Sequence, residues 1–191
     1  MSDPAPRQML QQRVASAILD GAAQLFASEG ERASMNDVAA AAGVARATVY
    51  RYFPNRDTLV DELARTAVAD VEARLASARI DTVAPEEGIV RAVRALVEGS
   101  DRFVILARER PRSDPERFER GVARPLRRLL ERGQAAGDVR DDLSSARLTA
   151  SLIGLVVGLL TSTPSLGRED MTATITGLFL DGARARGPRR R

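Results

Sequence analysis

Apolar residues recur along this chain at three- and four-residue intervals, and no segment reads as a clear β-strand. Val14, Ile18, Ala22, Leu25 and Phe26 share one helical face, and Gly30 supplies a stop. Ser34 followed by Asp37 forms a capping-box-like pair, which opens a second helix through Val38, Ala39 and Ala42 to Gly43. A third, short helix covers about Arg46 to Phe53 and ends at Pro54. Leu59, Val60, Leu63, Ala67, Val71 and Leu75 then mark a single face of a long segment reaching about Arg79. Asp81 to Pro85 reads as a break.

Beyond the break, Ile89, Val93, Leu96 and Val97 predict a helix from about Pro85 to Gly99. A shorter one covers about Arg102 to Glu109. The next runs from about Pro115 to Ala135, and Pro125 inside it should kink or bend it. Ser144 or Ser145 can cap a strongly apolar helix that ends near Thr161, and a last helix covers about Arg168 to Ala185. The pattern predicts an all-α fold of about nine helices.

Composition narrows the chemistry. Hydrophobic residues make up 44% of the 191, enough for a real core, but aromatics are only 4%, so that core must be mostly aliphatic. Cysteine and histidine are both absent, which excludes Cys/His metal sites, thiol nucleophiles, disulfides and His-based triads. No phosphate-cradling glycine loop occurs, and the acidic pair Asp141-Asp142 sits at a turn before a helix, where capping explains it. No enzyme, metal or cofactor is therefore expected. Met1 to Pro6 lacks the charged start and apolar core of a signal peptide. The longest apolar run, Leu152 to Leu160, is far short of the roughly 20 residues that span a bilayer. A cytoplasmic location without membrane contact is the expectation.

Charge is less informative than the pI of 10.3 suggests. All 29 basic residues are Arg, against 26 acidic ones. Arg184, Arg186, Arg189, Arg190 and Arg191 follow the last acid, Asp181, so the rest of the chain carries a slight negative excess. Residues 102–140 hold 11 Arg against six acids, a pattern that an exposed face explains. Global charge is thus poor evidence for nucleic-acid binding, and local arrangement must carry it.

Residues 34–53 read SMNDVAAAAGVARATVYRYF, two short helices around the turn Gly43-Val44-Ala45. Gly43 can take a left-handed backbone, the alanines allow close approach, and Val38, Val44 and Val49 can fill the space between the helices. The second helix presents Arg46, Ala47, Thr48, Tyr50 and Arg51. Such side chains suit a duplex: Arg forks to guanine or phosphate, Thr offers a hydroxyl and a methyl, and Tyr reaches phosphate. The pattern alone also fits a generic helical hairpin.

The first 60 residues resemble the DNA-binding domain of the TetR (tetracycline-repressor-like) family. Ile18 to Gly30 is similar to that family's opening helix, Ser34 to Val44 to its second, and Thr48-Val-Tyr-Arg-Tyr-Phe53 with Pro54 to Leu59 to its recognition helix and the entry to its fourth. The resemblance implies a DNA-binding domain at residues 1–55, a helical effector and dimerisation domain at 56–185, and an Arg-rich tail at 186–191. It implies that Arg46, Ala47 and Thr48 face bases or nearby backbone, that Tyr50 and Tyr52 lie toward DNA with Arg51 beside them, and that Arg56 meets a phosphate. Ser34 would cap helix two and donate to phosphate. Many relatives carry Ser where this chain has Ala45, and Ala cannot cap.

The same resemblance assigns the apolar helix and the last helix to a dimer interface of Leu152, Leu155, Val156, Leu159, Ile175, Leu178 and Phe179. Gly154 and Gly158 would permit close approach. An effector cavity is expected among Leu63, Ala67, Val71, Val93, Leu96, Val97, Phe103, Leu106, Phe118 and Val122, and the scarcity of inward polar groups points to an apolar effector. The implied function is a homodimeric repressor that a small molecule releases from a near-palindromic double-stranded operator. The alternative is a helical protein-interaction module that has lost operator recognition.

Overall fold

The structure is a computed structural model that describes residues 6–29, 32–99, 114–163 and 165–185. Among these residues the fold is all-α: α1 (Pro6–Glu29), α2 (Met35–Ala41), α3 (Arg46–Tyr52), α4 (Arg56–Ser77), α5 (Pro85–Glu98), α6 (Pro115–Phe118, continuing through Glu119–Ala123 into Arg124–Ala136), α7 (Ser145–Ser162) and α8 (Arg168–Ala183). The helix expected over Arg102 to Glu109 lies outside the described residues, as does the tail at 186–191. The described residues form two compact units, one ending at Thr66 and the other starting at Ala67.

In the first unit, local signals set the helix ends. Ser34 Oγ accepts from the Asp37 N–H at 3.3 Å, and the Asp37 carboxylate accepts from the Ser34 N–H at 2.9 Å, closing a full capping box. Gly43 turns the chain at φ +65°. Asn55 Oδ1 accepts from the Thr58 N–H at 2.9 Å and opens α4. Ile18 and Phe26 of α1, Val38 of α2, Val49 of α3, and Leu59 and Leu63 of α4 are sealed together. Burying each such side chain contributes about 1.5–3 kcal/mol. α1 begins at Pro6, well before the periodic residues; Gln8 to Gln12 are exposed, so no inward apolar face marks this stretch in the sequence.

In the second unit, α5 packs against α6 and α8, and α7 against α6 and α8. Ile89, Leu96, Leu126, Leu130, Leu152 and Ile175 form its fully buried centre. α4 ends as Arg79 enters the left-handed region at φ 50°. Arg132 of α6 then pins the turn by donating to the carbonyls of Ile80 at 2.7 Å, Asp81 at 2.6 Å and Val83 at 3.3 Å. After α8 the chain pairs with the α6–α7 connection. The Arg140 N–H donates to Ala183 O at 2.8 Å, and the Ala185 N–H to Asp138 O at 3.0 Å.

Two features of the sequence take their form here. Pro125, expected to kink or bend α6, lies within it just after a π turn over Glu119–Ala123, and the Arg124 N–H donates to Glu119 O, five residues back. Proline cannot donate to Gly121 O, and the wider turn accommodates that missing bond. The apolar helix is longer than its apolar run: α7 has 18 residues, and by length and composition alone it is the one helix among those described that could cross a membrane. Leu148, Leu152, Val156 and Leu160 form its buried stripe, so it is buried on one face and not all round.

Candidate nucleic-acid interface and effector cavity

Val49 anchors α3 in the first unit's core, and this fixes which side chains point out. Arg46, Ala47, Tyr50 and Arg51 are exposed, and Thr48 and Tyr52 are half-buried. The Arg46 guanidinium lies 5.3 Å from the Tyr50 ring centroid, one helical turn away. Arg51 lies 5.4 Å from the Tyr52 ring. These cation–π contacts hold each guanidinium against a ring, which reduces the rotamer freedom lost on meeting a partner. Tyr52 packs against the core cluster, so only part of its ring is open. Ala45 is the N-cap of α3 and makes no side-chain bond.

Two expected phosphate contacts are already engaged. Ser34 Oγ donates to Asp37 Oδ2 at 2.6 Å. A hydroxyl carries one proton, so Ser34 cannot also donate to a phosphate while that bond stands. The same bond, followed by that from the Ser34 N–H, holds the Asp37 carboxyl below its ordinary value. Arg56 is half-buried, donates to Ala33 O and lies 4.3 Å from the Phe26 ring centroid. It clamps α4 to α1 and the loop before α2. Sequence reasoning missed Gly21, where a Cβ would come within 2.9 Å of Ala42 N and 3.1 Å of Ala41 C. This glycine lets α1 touch the backbone of α2. An isolated glycine within a helical pattern was its only signal.

The other assignments shift with burial. Leu152, Val156, Ile175 and Phe179 lie in the second unit's own core and have almost no surface to offer a second copy. Leu155 and Leu159 are half-buried and Leu178 is exposed, beside Gly154, Gly158, Gly177 and Gly182, none of which faces another group within 4 Å. Among the pocket residues, Ala67, Val71, Val93, Leu96, Val97 and Val122 are packed core, and Leu63 belongs to the first unit's core. Phe118 is half-buried, and Phe103 and Leu106 lie outside the described residues. A cavity of about 840 Å³ opens elsewhere in the second unit, between the end of α4 and α6, and none of the described ones among these residues lines it.

The model for bacterial regulatory proteins of the tetR family matches residues 18–63, which carry α2, α3 and the core of α1. The HTH-type transcriptional repressor Rv1474c of Mycobacterium tuberculosis is 33% identical over 75% of this chain and 78% of its own length. The chain belongs to the TetR family. The HTH-type transcriptional repressor LfrR of Mycolicibacterium smegmatis is 41% identical over 51% of this TetR-family chain, which spans about half of LfrR (49%) in that match. A crystal structure of LfrR from Mycobacterium smegmatis in complex with proflavine matches the fold with a TM-score of 0.73, at 23% identity over 91% of this chain and 97% of that one. AibR, solved with isovaleryl coenzyme A and operator DNA, gives 0.71 at 20% identity over 86% and 97%. Like its TetR-family relatives, this protein is a DNA-binding transcriptional regulator and not an enzyme.

Proposed function

We propose that this TetR-family chain is a cytoplasmic repressor that binds a near-palindromic operator as a homodimer and is released by a small molecule. The exposed set Arg46, Ala47, Tyr50 and Arg51 on a helix anchored through Val49 carries the DNA reading. An α-helix fits the major groove, and these side chains supply bidentate, methyl and hydroxyl contacts. Residues 1–55 form the reading head in this proposal, and 56–185 the effector and dimerisation domain. The second copy packs on the glycine-lined face of α7 and α8 around Leu155, Leu159 and Leu178. Two-fold symmetry then sets two recognition helices on two half-sites. The proflavine in the LfrR crystal supports a small-molecule effector. Such a molecule releases DNA only if it binds the DNA-free arrangement better.

The test is selection of binding sites from a random duplex pool, followed by titration of the winning site against salt. A palindromic consensus bound by two chains supports the proposal. Arg46→Ala and Tyr50→Phe should each weaken that complex; loss of the Arg46 charge from a phosphate should lower the salt slope by about 0.9, whereas Tyr50→Phe removes no charge and should leave the slope unchanged. Binding without sequence preference would favour a protein-interaction module that no longer reads an operator.

A further inference from the structure

Val49 fixes how α3 is turned about its axis, because its side chain is fully buried in the first unit's core. Each residue of an α-helix is rotated about 100° from the one before. Ala47 and Arg51, two positions before and two after Val49, therefore each lie about 200° round, on the side of α3 opposite the core. Both are exposed. Arg46 and Tyr50 fall on one flank. Thr48 and Tyr52 fall on the other, and these two are half-buried. A helix seated in the major groove turns its outermost residues to the base edges and its flanks to the phosphates. The short side chain of Ala47 leaves the groove floor open, so the longer reach of Arg51 decides what is read there.

Arg51 is held and yet uncommitted. Its guanidinium lies 5.4 Å from the Tyr52 ring centroid. Tyr52 packs against the core cluster, and its ring stands 6.5 Å from that of buried Phe53, so the core sets this platform. The Tyr50 ring beside Arg46, by contrast, is itself exposed. Arg51 makes no ion pair and no hydrogen bond among the described residues, which leaves its five N–H donors open. A planar fork of donors calls for two acceptors side by side. In the major groove guanine alone offers them, as N7 and O6. Adenine sets a donor beside its acceptor, cytosine presents a donor, and thymine sets a methyl beside its single acceptor.

We propose that Arg51 is a specificity-determining residue that reads a guanine in each operator half-site, and that Tyr52 is the positioning residue that aims it. The ring restricts the guanidinium before DNA arrives, so less rotamer freedom is lost on binding. A base without two adjacent acceptors leaves the aimed donors unpaired, and the site refuses it on that ground. This inference rests on the reading of the chain as an operator-binding dimer.

Site selection from a random duplex pool, run on the full chain and on Arg51→Ala, Tyr52→Leu and Tyr52→Phe, tests the proposal, followed by titration of the selected site and its single-base variants. In the parent chain one guanine position per half-site should be preferred about 5- to 150-fold over other bases. Arg51→Ala should erase that preference and leave those at other positions as they were. Tyr52→Leu should lower the same preference, whereas Tyr52→Phe, which keeps the ring, should retain it. A duplex with 7-deazaguanine at that position, where a C–H replaces N7, should bind the parent more weakly and Arg51→Ala no differently. Arg51→Ala that weakens every sequence alike and lowers the salt slope by about 0.9 would reveal a phosphate contact and overturn the proposal. A guanine preference that survives Tyr52→Leu in full overturns the positioning role of Tyr52. A palindromic consensus with no guanine under the control of Arg51 overturns the inference and leaves the operator reading standing. A parent chain without sequence preference overturns both.

Discussion

Ala45 holds the backbone of an N-cap, φ −66° and ψ 144°, without the side chain of one. Serine fits that conformation and would accept from the Ala47 N–H, while that of Thr48 already donates to Ala45 O at 2.8 Å. Ala45→Ser should therefore stabilise the first unit by about 1 kcal/mol, read as a shift in the chemical denaturation midpoint; an unchanged midpoint would show that the backbone bonds already suffice. Ser34→Ala probes the reverse case. It removes the bond that most lowers the Asp37 pKa, so that pKa should rise toward the ordinary 3.8. A lowered folded-state pKa gives stability that is fully present above the unfolded value and lost as pH falls through the folded one. The variant should thus lose the part of its acid resistance that this carboxylate supplies, and a carboxylate titration by NMR reads the shift directly. An Asp37 titration that ignores the substitution would count against the Ser34 hydroxyl as its cause. At this scale the exposed residues of α3 were legible from type and spacing. The commitments of Ser34 and Arg56 were not, because each partner is defined only by hydrogen-bond geometry in the folded unit.

At the scale of elements, helix ends were the most legible feature. Ser34, Gly43, Pro54, Pro85 and Ser144 each act within one turn of their own position, so sequence alone locates them. Features set by a neighbouring element were hidden. α7 is apolar on most sides, so its pattern could not say which side packs, and α8 and α6 decide it. The close crossing of α1 and α2 is another such feature. Gly21→Ala would press a methyl against backbone that cannot rotate away, and should cost roughly 1–3 kcal/mol in thermal or chemical denaturation. A variant as stable as the parent would mean that α1 can slide off α2 at little cost.

For the whole molecule, Leu178 is the most telling position. It is 59% exposed on a helix whose other large apolar residues are buried, so changing it should spare the fold of the chain. Leu178→Glu should leave helical content intact, convert dimer to monomer by light scattering, and abolish tight operator binding. A variant that stays dimeric would place the interface elsewhere. The strap joining Asp138 and Arg140 to Ala183 and Ala185 bears on how the chain reaches its final form. Helix pairs in the first unit are close in sequence, whereas the strap joins segments with two whole helices between them. Such distant contacts form late, because the entropy of closing the intervening chain must first be met. In pulse-labelled hydrogen exchange during refolding, the amides of Arg140 and Ala185 should gain protection after those of α1 and α2. The order of assembly would then run from the DNA-reading helices toward the end of the chain.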